Sequence, residues 1–279
     1  LCPYLAALSH NIAQILPGNL NVSYLPNSGA EANEGAIKLA YKYHNGNRKY
    51  ILHSDISFHG KLLGTGSISS SPEVKFKFPG ITNTDVFKWD NIESLKSKVE
   101  QYEKKKDDPD IFAIIIEPFS ASSLLECSEN FLRQLRDICY KKKIILIFDE
   151  IYTGWGKTGE FFYFMKYENL APDVLTMSKS FGGGKSSISC FTTTNEIFNK
   201  AYGNIQDSTI HSTTYNAFGE ETITAIEAVN IAVEDKYPEK AKNIGNIIST
   251  KLNDLKTKYP KQIKEVRGAG CLQGIIFNS

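Results

Sequence analysis

Four short segments combine residue types able to do chemistry. In Asn27-Ser28-Gly29-Ala30-Glu31-Ala32-Asn33-Glu34, an extended run gives way to a helical one. The free N–H groups and positive dipole end of a starting helix favour an anion, and Gly29 lets a phosphate approach the backbone. Ser28 with Glu31 three residues on is equally an ordinary capping box. Phe58-His59-Gly60-Lys61 sets an aromatic beside a flexible glycine, suited to flat contact with a planar ring; a core Phe next to a surface His accounts for the same residues. In Phe148-Asp149-Glu150-Ile151-Tyr152-Thr153-Gly154-Trp155-Gly156-Lys157-Thr158-Gly159, an apolar strand delivers Asp149 to its own carboxyl end. Burying that carboxylate without a cation would be costly. A protonated ring nitrogen is one partner for it and a divalent metal another, while a strand-end Asp that reaches water or caps the next turn is the plain alternative. No G-x-x-x-x-G-K-[ST] loop accompanies it, so a Walker-type metal site lacks its other half. Met177-Ser178-Lys179-Ser180-Phe181-Gly182-Gly183-Gly184 places Lys179 at a further strand end. Partial burial there would lower the pKa of the amine and allow a Schiff base with a carbonyl compound; the other fate is a snorkelling stem with its ammonium in water. Lys157 and Lys185 are competing amines, each inside a glycine-rich loop.

These segments need a scaffold that brings loops together. Leu5, Leu8, Ile12 and Ile15 recur at helical spacing until Pro17-Gly18, and an extended run follows at Val22 to Leu25. A second helix is expected from Ala30 to Tyr43, ended by Asn45-Gly46-Asn47. Tyr50 to His53, Phe112 to Glu117, Ile144 to Asp149, Val174 to Met177 and Ile188 to Thr192 read as short strands, several continuously apolar as in strands buried on both faces. Helices are expected at Asn91 to Lys105, Asn130 to Lys142 and Asn195 to Ala201, and from Gly219 to about Tyr259 with a break at Pro238. This alternation predicts an α/β three-layer sandwich with a mostly parallel central sheet. Ligands of such sheets gather outside the carboxyl ends of the strands, where all four segments fall. The 279 residues are 41 % apolar and 23 % charged, enough for a large core and unlike a disordered chain or a membrane bundle. Lys plus Arg number 32 against 31 Asp plus Glu, so no charge surplus marks nucleic acid or anionic lipid as partners. Five scattered cysteines, never in a C-x-x-C pair, fit neither a zinc ribbon nor a disulfide framework, and a reducing compartment is expected.

An anion cradle, an aromatic plate, a strand-end Asp and a strand-end Lys together meet the needs of pyridoxal 5'-phosphate: phosphate anchor, ring stack, pyridinium partner and Schiff-base amine. The same segments resemble the class III aminotransferases of the fold-type-I pyridoxal-phosphate superfamily. Residues 27–40 resemble that family's phosphate-loop helix, Phe58-His59-Gly60 its ring-stacking motif, Asp149 through Gly159 its aspartate signature and Pro172-Asp173 through Gly184 its lysine motif. The resemblance implies that Lys179 carries the cofactor as a Schiff base and moves the proton, and that Asp149 keeps the pyridine nitrogen protonated. It further implies that Phe58, with His59, and Ile151 flank the ring, and that Ser28, Gly29 and Ala30 hold the phosphate. His211-Ser212-Thr213-Thr214-Tyr215 is similar to the segment whose second hydroxyl residue, here Thr214, reaches the phosphate of a neighbouring subunit, which implies a homodimer with a shared active site. Glu117 matches a family glutamate on the substrate side, and a strand-end charge facing water is its other reading. No metal site is expected.

Some positions depart from the pattern. Lys61 replaces the Arg that handles a substrate carboxylate in ornithine and 4-aminobutyrate enzymes, a point charge instead of a bidentate fork. Tyr152 stands where many members carry Gln, and Asn216-Ala217-Phe218-Gly219-Glu220-Glu221 replaces the usual Gly-Gly-Asn-Pro stretch. Residues 1–260 are expected to be the large cofactor-binding domain and 261–279 the start of a small C-terminal domain. Leu1 is not an initiator Met and the chain stops within the strand-like Gly274 to Phe277, so it reads as a piece of a longer protein. The expected activity is transfer of an amino group between an amine or amino acid donor and a 2-oxo acid acceptor, in the cytoplasm or an organelle matrix. An aminomutase, decarboxylase or epimerase on the same fold, or a non-catalytic dimeric scaffold, are the alternatives.

Overall fold

Continuous apolar runs become strands that bury both faces. The computed structural model describes residues 2–70, 78–81, 83–105 and 107–278. Its central sheet is formed by β1 (Leu20–Tyr24), β2 (Tyr50–Ser54), β3 (Thr84–Phe87), β6 (Ile111–Ile116), β7 (Ile145–Asp149), β8 (Val174–Met177) and β9 (Cys190–Thr194), in spatial order β1-β9-β8-β7-β6-β2-β3. A short hairpin, β4 (Glu103–Lys105) with β5 (Asp108–Pro109), lies outside it. Of the seven, β9 alone runs antiparallel to its neighbours. The other six therefore end on one edge, the edge expected to carry the chemistry.

Alternate residues of the strands serve two cores. Ile114, Ile116, Leu146, Phe148, Leu175 and Met177 face one; Ala113, Ile115, Ile145, Ile147 and Val174 face the other. The first is covered by α1 (Pro3–Ile15), α4 (Ile92–Gln101), α5 (Glu129–Lys142) and α7 (Gly219–Glu234), through residues such as Leu8, Leu95, Leu135 and Val229. The second is covered by α2 (Gly29–Tyr43) and α6 (Asn195–Tyr202) through Ala36, Leu39, Ala40 and Ile197. This is the three-layer α/β sandwich with a mostly parallel sheet. A five-residue α3 (Leu63–Ser67), α8 (Tyr237–Lys258) and a separate hairpin of β10 (Ile263–Ala269) and β11 (Leu272–Phe277) complete the chain. No helix among the described residues is long and apolar enough to cross a membrane.

Three boundaries differ from expectation for identifiable reasons. The helix expected through Lys105 ends at Gln101, because Tyr102 turns inward: its ring stacks on Tyr50 at 4.0 Å and its hydroxyl donates to Asp85 Oδ2 at 2.7 Å. The chain then forms β4, so tertiary contacts override the helical preference of Glu103 and the lysines. The last expected strand shifts from Ile188–Thr192 to Cys190–Thr194. The break near Pro238 falls instead at Lys236, which is left-handed at φ 52°, while Pro238 sits in the first turn of α8, where its missing N–H costs nothing. β3 and α3 escaped the sequence pattern because β3 buries only Phe87 and α3 holds two glycines.

α2 lies close to the sheet because its inward face is small. A Cβ on Gly35 would come within 2.3 Å of Phe191 Cε1 and 2.8 Å of His211 Nε2. Gly35→Ala is therefore expected to lower the unfolding free energy by about 1–3 kcal/mol through overpacking, against the roughly 1 kcal/mol that alanine gains over glycine inside a helix. Urea unfolding checks the sign.

Candidate active site

Three carboxylates are buried at the ends of β6 and β7. Asp149 is 4 % exposed, Glu117 3 % and Glu150 fully buried. Among the described residues none of the three pairs with a Lys or Arg; Asp149 pairs with His59 alone. Each is instead held by fixed donors, which is how a desolvated carboxylate is tolerated.

Asp149 is the last residue of β7. Its Oδ2 lies 2.8 Å from His59 Nδ1, and because a carboxylate only accepts, that nitrogen carries the proton. Asn33 Nδ2 donates to the same oxygen at 2.8 Å and to the carbonyl of His59 at 2.8 Å. Thr176 Oγ1 donates to Asn33 Oδ1 at 2.8 Å, which fixes the amide orientation. Asp149 Oδ1 accepts the Ile151 N–H at 3.0 Å. Glu117, just past β6, accepts the N–H of Phe58 and that of Ala121, each at 2.9 Å. It thereby ties the Phe58 loop to the turn after β6. Burial first, then the neighbouring Asp149 charge, push its carboxyl from the ordinary 4.5 up to about 7. Glu150 points away, into the core, and accepts the N–H groups of Tyr163 and Phe164 and the Thr153 hydroxyl at 2.6–2.9 Å; burial raises it to about 7.

A cavity of about 410 Å³ opens above these carboxylates. Gly29, Ala30, Phe58, His59, Glu117, Asp149, Ile151, Tyr152 and Lys179 all line it, so the chain brings together most of the residues singled out from sequence. Gly29 sits at the start of α2 and is needed there, since a Cβ would lie 2.9 Å from Ile151 Cδ1. The Ile151 side chain thus packs under the positive end of the helix, which offers its first N–H groups to an anion. Ser28 does not line the cavity; its Oγ accepts the Glu31 N–H at 3.3 Å, the capping role. Lys61 and Thr214 are exposed and also lie outside the cavity lining.

Of the two fates open to Lys179, the structure shows exposure: the chain leaves β8 through Ser178 and turns at once, with Lys179 left-handed at φ 50° at the start of a 3₁₀ turn, Lys179–Gly182. Its Nζ stands 5.6 Å from the centre of the Tyr152 ring, at the mouth of the cavity. Asn33 and Thr176, which orient Asp149, carried no assigned role in the sequence. Asn33 could have been noticed as a polar residue within the inward stripe of α2, in helical register with Ala36, Ile37 and Ala40; Thr176 offers no such signal.

The arrangement has the donors for a planar cationic ring that bears an anionic substituent. Among the described residues the buried Asp149 carboxylate has no Lys or Arg partner and the buried His59 Nε2 has none at all, while the start of α2 lines the cavity. Pyridoxal phosphate has this make-up, and Lys179 lines the same cavity. No group of three or more His, Cys, Asp or Glu among the described residues is disposed to hold a metal ion.

Fold and site together define an α/β enzyme class in which the ligand lies at the carboxyl edge of a mostly parallel sheet. A sequence model of the family "aminotransferase class-III" matches residues 3–279, and the chain belongs to that family. It is 33 % identical to a putrescine aminotransferase of Pectobacterium atrosepticum across 99 % of its own length, and spans 58 % of that relative. In fold it is similar to the ornithine aminotransferase of Toxoplasma gondii (TM-score 0.86, 23 % identity, 98 % of this chain and 63 % of that one). It is likewise similar to a taurine:2-oxoglutarate aminotransferase of Bifidobacterium kashiwanohense in complex with PLP and glutamate (TM-score 0.88, 20 % identity, 98 % and 64 %). The architecture is fold type I.

Two outcomes follow from the buried carboxylates. Asn33→Ala leaves an unmet demand at Asp149 and is expected to cost about 1–3 kcal/mol of unfolding free energy. Glu117 binds its proton more tightly in the fold than in the unfolded chain, so its stabilisation is complete below about pH 4.5 and lost as pH rises to about 7. Urea unfolding of Glu117→Gln across that window should show a smaller decline than the unsubstituted protein.

Proposed function

We propose that this chain forms the cofactor-binding part of a pyridoxal-phosphate-dependent aminotransferase, which moves an amino group between an amine or amino acid and a 2-oxo acid. The observation that carries this reading is that Asp149 and Lys179, from the ends of the adjacent parallel strands β7 and β8, share one cavity with Phe58, Ile151 and the start of α2. Pyridoxal phosphate, when bound, supplies a carbonyl carbon that condenses with amines and a ring that takes up the electron pair of a breaking substrate bond. Asp149, oriented by Asn33 and His59, holds a proton at the ring nitrogen. Phe58 and Ile151 confine the ring from its two faces, and the N–H groups of Gly29 and Ala30 receive the phosphate. Lys179 would hold the cofactor through its Nζ, and its amine, when free, would carry the proton from the substrate α-carbon. Glu117 holds the Phe58 loop in place through its two backbone contacts.

The family and the relatives' names favour transamination over an aminomutase, decarboxylase, epimerase or scaffold role. A primary amine is the donor class that the putrescine relative supports. Lys61, exposed beside the Phe58 loop, is available to a substrate carboxylate. Thr214, exposed and away from this cavity, serves the phosphate of a second copy, so the working form is a homodimer. Residues 1–260 constitute the cofactor-binding unit and 261–279 open a second domain. The five free cysteines fit a reducing compartment, cytoplasm or organelle matrix.

Borohydride reduction of the intact protein after incubation with pyridoxal phosphate, followed by peptide mass mapping, tests the reading. A pyridoxyl adduct is expected on Lys179. Lys179→Ala should lose it and lower turnover at least about 10²-fold; full turnover by that variant would overturn the assignment.

A further inference from the structure

Lys179, at φ 50°, occupies a left-handed backbone conformation that a non-glycine residue adopts only when its surroundings impose it. The residues imposing it come from one loop. Lys157, in the glycine-rich stretch after β7, donates from Nζ to the Ser180 hydroxyl at 2.9 Å and to the Gly154 carbonyl at 2.6 Å. Two residues earlier in the same loop, Trp155 is itself left-handed at φ 66°, and its ring stacks on Phe181 at 5.1 Å with an 11° tilt. Both residues that follow Lys179 are thus clamped by residues 154–157.

We propose that Lys157 is a positioning residue for Lys179: its ammonium ties the loop after β7 to the turn after β8 and holds that turn in the conformation that presents the Lys179 amine to the cavity. The proposal rests on the reading of Lys179 as the cofactor lysine. Lys157 is not a solvated surface cation. Its two partners are neutral oxygens, and among the described residues no carboxylate forms an ion pair with it. Its own backbone is fixed from the other side, since its carbonyl accepts the Cys271 N–H at 2.8 Å. Burial, and after it the nearby charge of Lys179, push its ammonium down to about 8, so the two cations lie within each other's field. A lysine recruited only to fill space would be placed more cheaply against a carboxylate; here it is aimed at the residue next to Lys179.

The test titrates the intact protein with pyridoxal phosphate, follows Schiff-base absorbance, and maps borohydride-fixed adducts by mass spectrometry. Lys157→Met is expected to raise the half-saturating concentration about tenfold, the scale of one hydrogen bond to a charged group. Lys157→Arg, which keeps charge and donors, should restore it to within about threefold. Ser180→Ala, which removes one acceptor and leaves the amine, should move it in the same direction as Lys157→Met. A Lys157→Met protein that titrates like the unsubstituted one, even with a lowered melting temperature, overturns the proposal. If Lys157→Met does not fold, Ser180→Ala decides, and an unchanged titration overturns it equally. Absence of any Lys179 adduct in the unsubstituted protein refutes the cofactor-lysine reading instead, and this inference with it.

Discussion

Burying carboxylates at the ends of strands without a lysine or arginine is the constraint around which this molecule is organised. Desolvation alone would drive Asp149, Glu117 and Glu150 to give up their charge or leave the interior. They stay because backbone N–H groups, an asparagine and a histidine are fixed against them. Those donors come from the α2 helix, the Phe58 loop, the turn after β6 and the aromatic turn after Gly159. Satisfying three buried carboxyl groups therefore pulls four remote segments into one place. The chemistry proposed at the site exploits what is left over, a carboxylate whose local field still favours a cation in the cavity.

The sheet makes this possible. Its strands bury both faces, so side chains at strand ends are the first that can turn toward a ligand, and six of seven strands release them on the same edge. Neighbouring strands β6, β7 and β8 supply Glu117, Asp149 and Lys179 in that order across the edge. The antiparallel β9 returns the chain after the Lys179 turn and pairs with β1, whose end leads into α2. The start of α2 and the lysine turn are thereby brought to the same end of the sheet.

Much of this was legible in the residues. Continuous apolar runs marked the buried strands, and Gly, Ser, Asp and Lys at their ends marked the edge. What escaped was tertiary in origin. Tyr102 ends α4 because of Tyr50 and Asp85, which lie far away in sequence. Lys179 left partial burial and a solvent-reaching ammonium both open after its apolar strand; the left-handed φ that exposes it sits beside Ser180 and Phe181, which contact another loop, and no local pattern encodes that. Glu117, read as a substrate-side or solvent-facing charge, lines the cavity and also accepts two backbone N–H groups, a role no local pattern announces. Ser28 showed the reverse case, where the ordinary capping role was what the structure holds.

Helix α2 carries several alignments on a single rigid body. Gly29 fits it against Ile151, Asn33 grips Asp149 and the His59 carbonyl, Gly35 seats it on Phe191, and Lys38 Nζ reaches the Ile210 carbonyl at 2.8 Å. Successive helical residues advance about 1.5 Å and turn about 100°. These four contacts therefore behave like the teeth of a key: none can slip without the others. An inserted or deleted residue anywhere between 29 and 38 would misregister every lock beyond it, whereas the surface loops can change length with only local effect. The outer face of α2 can therefore accept changes of side chain that the helix could not accept in its length.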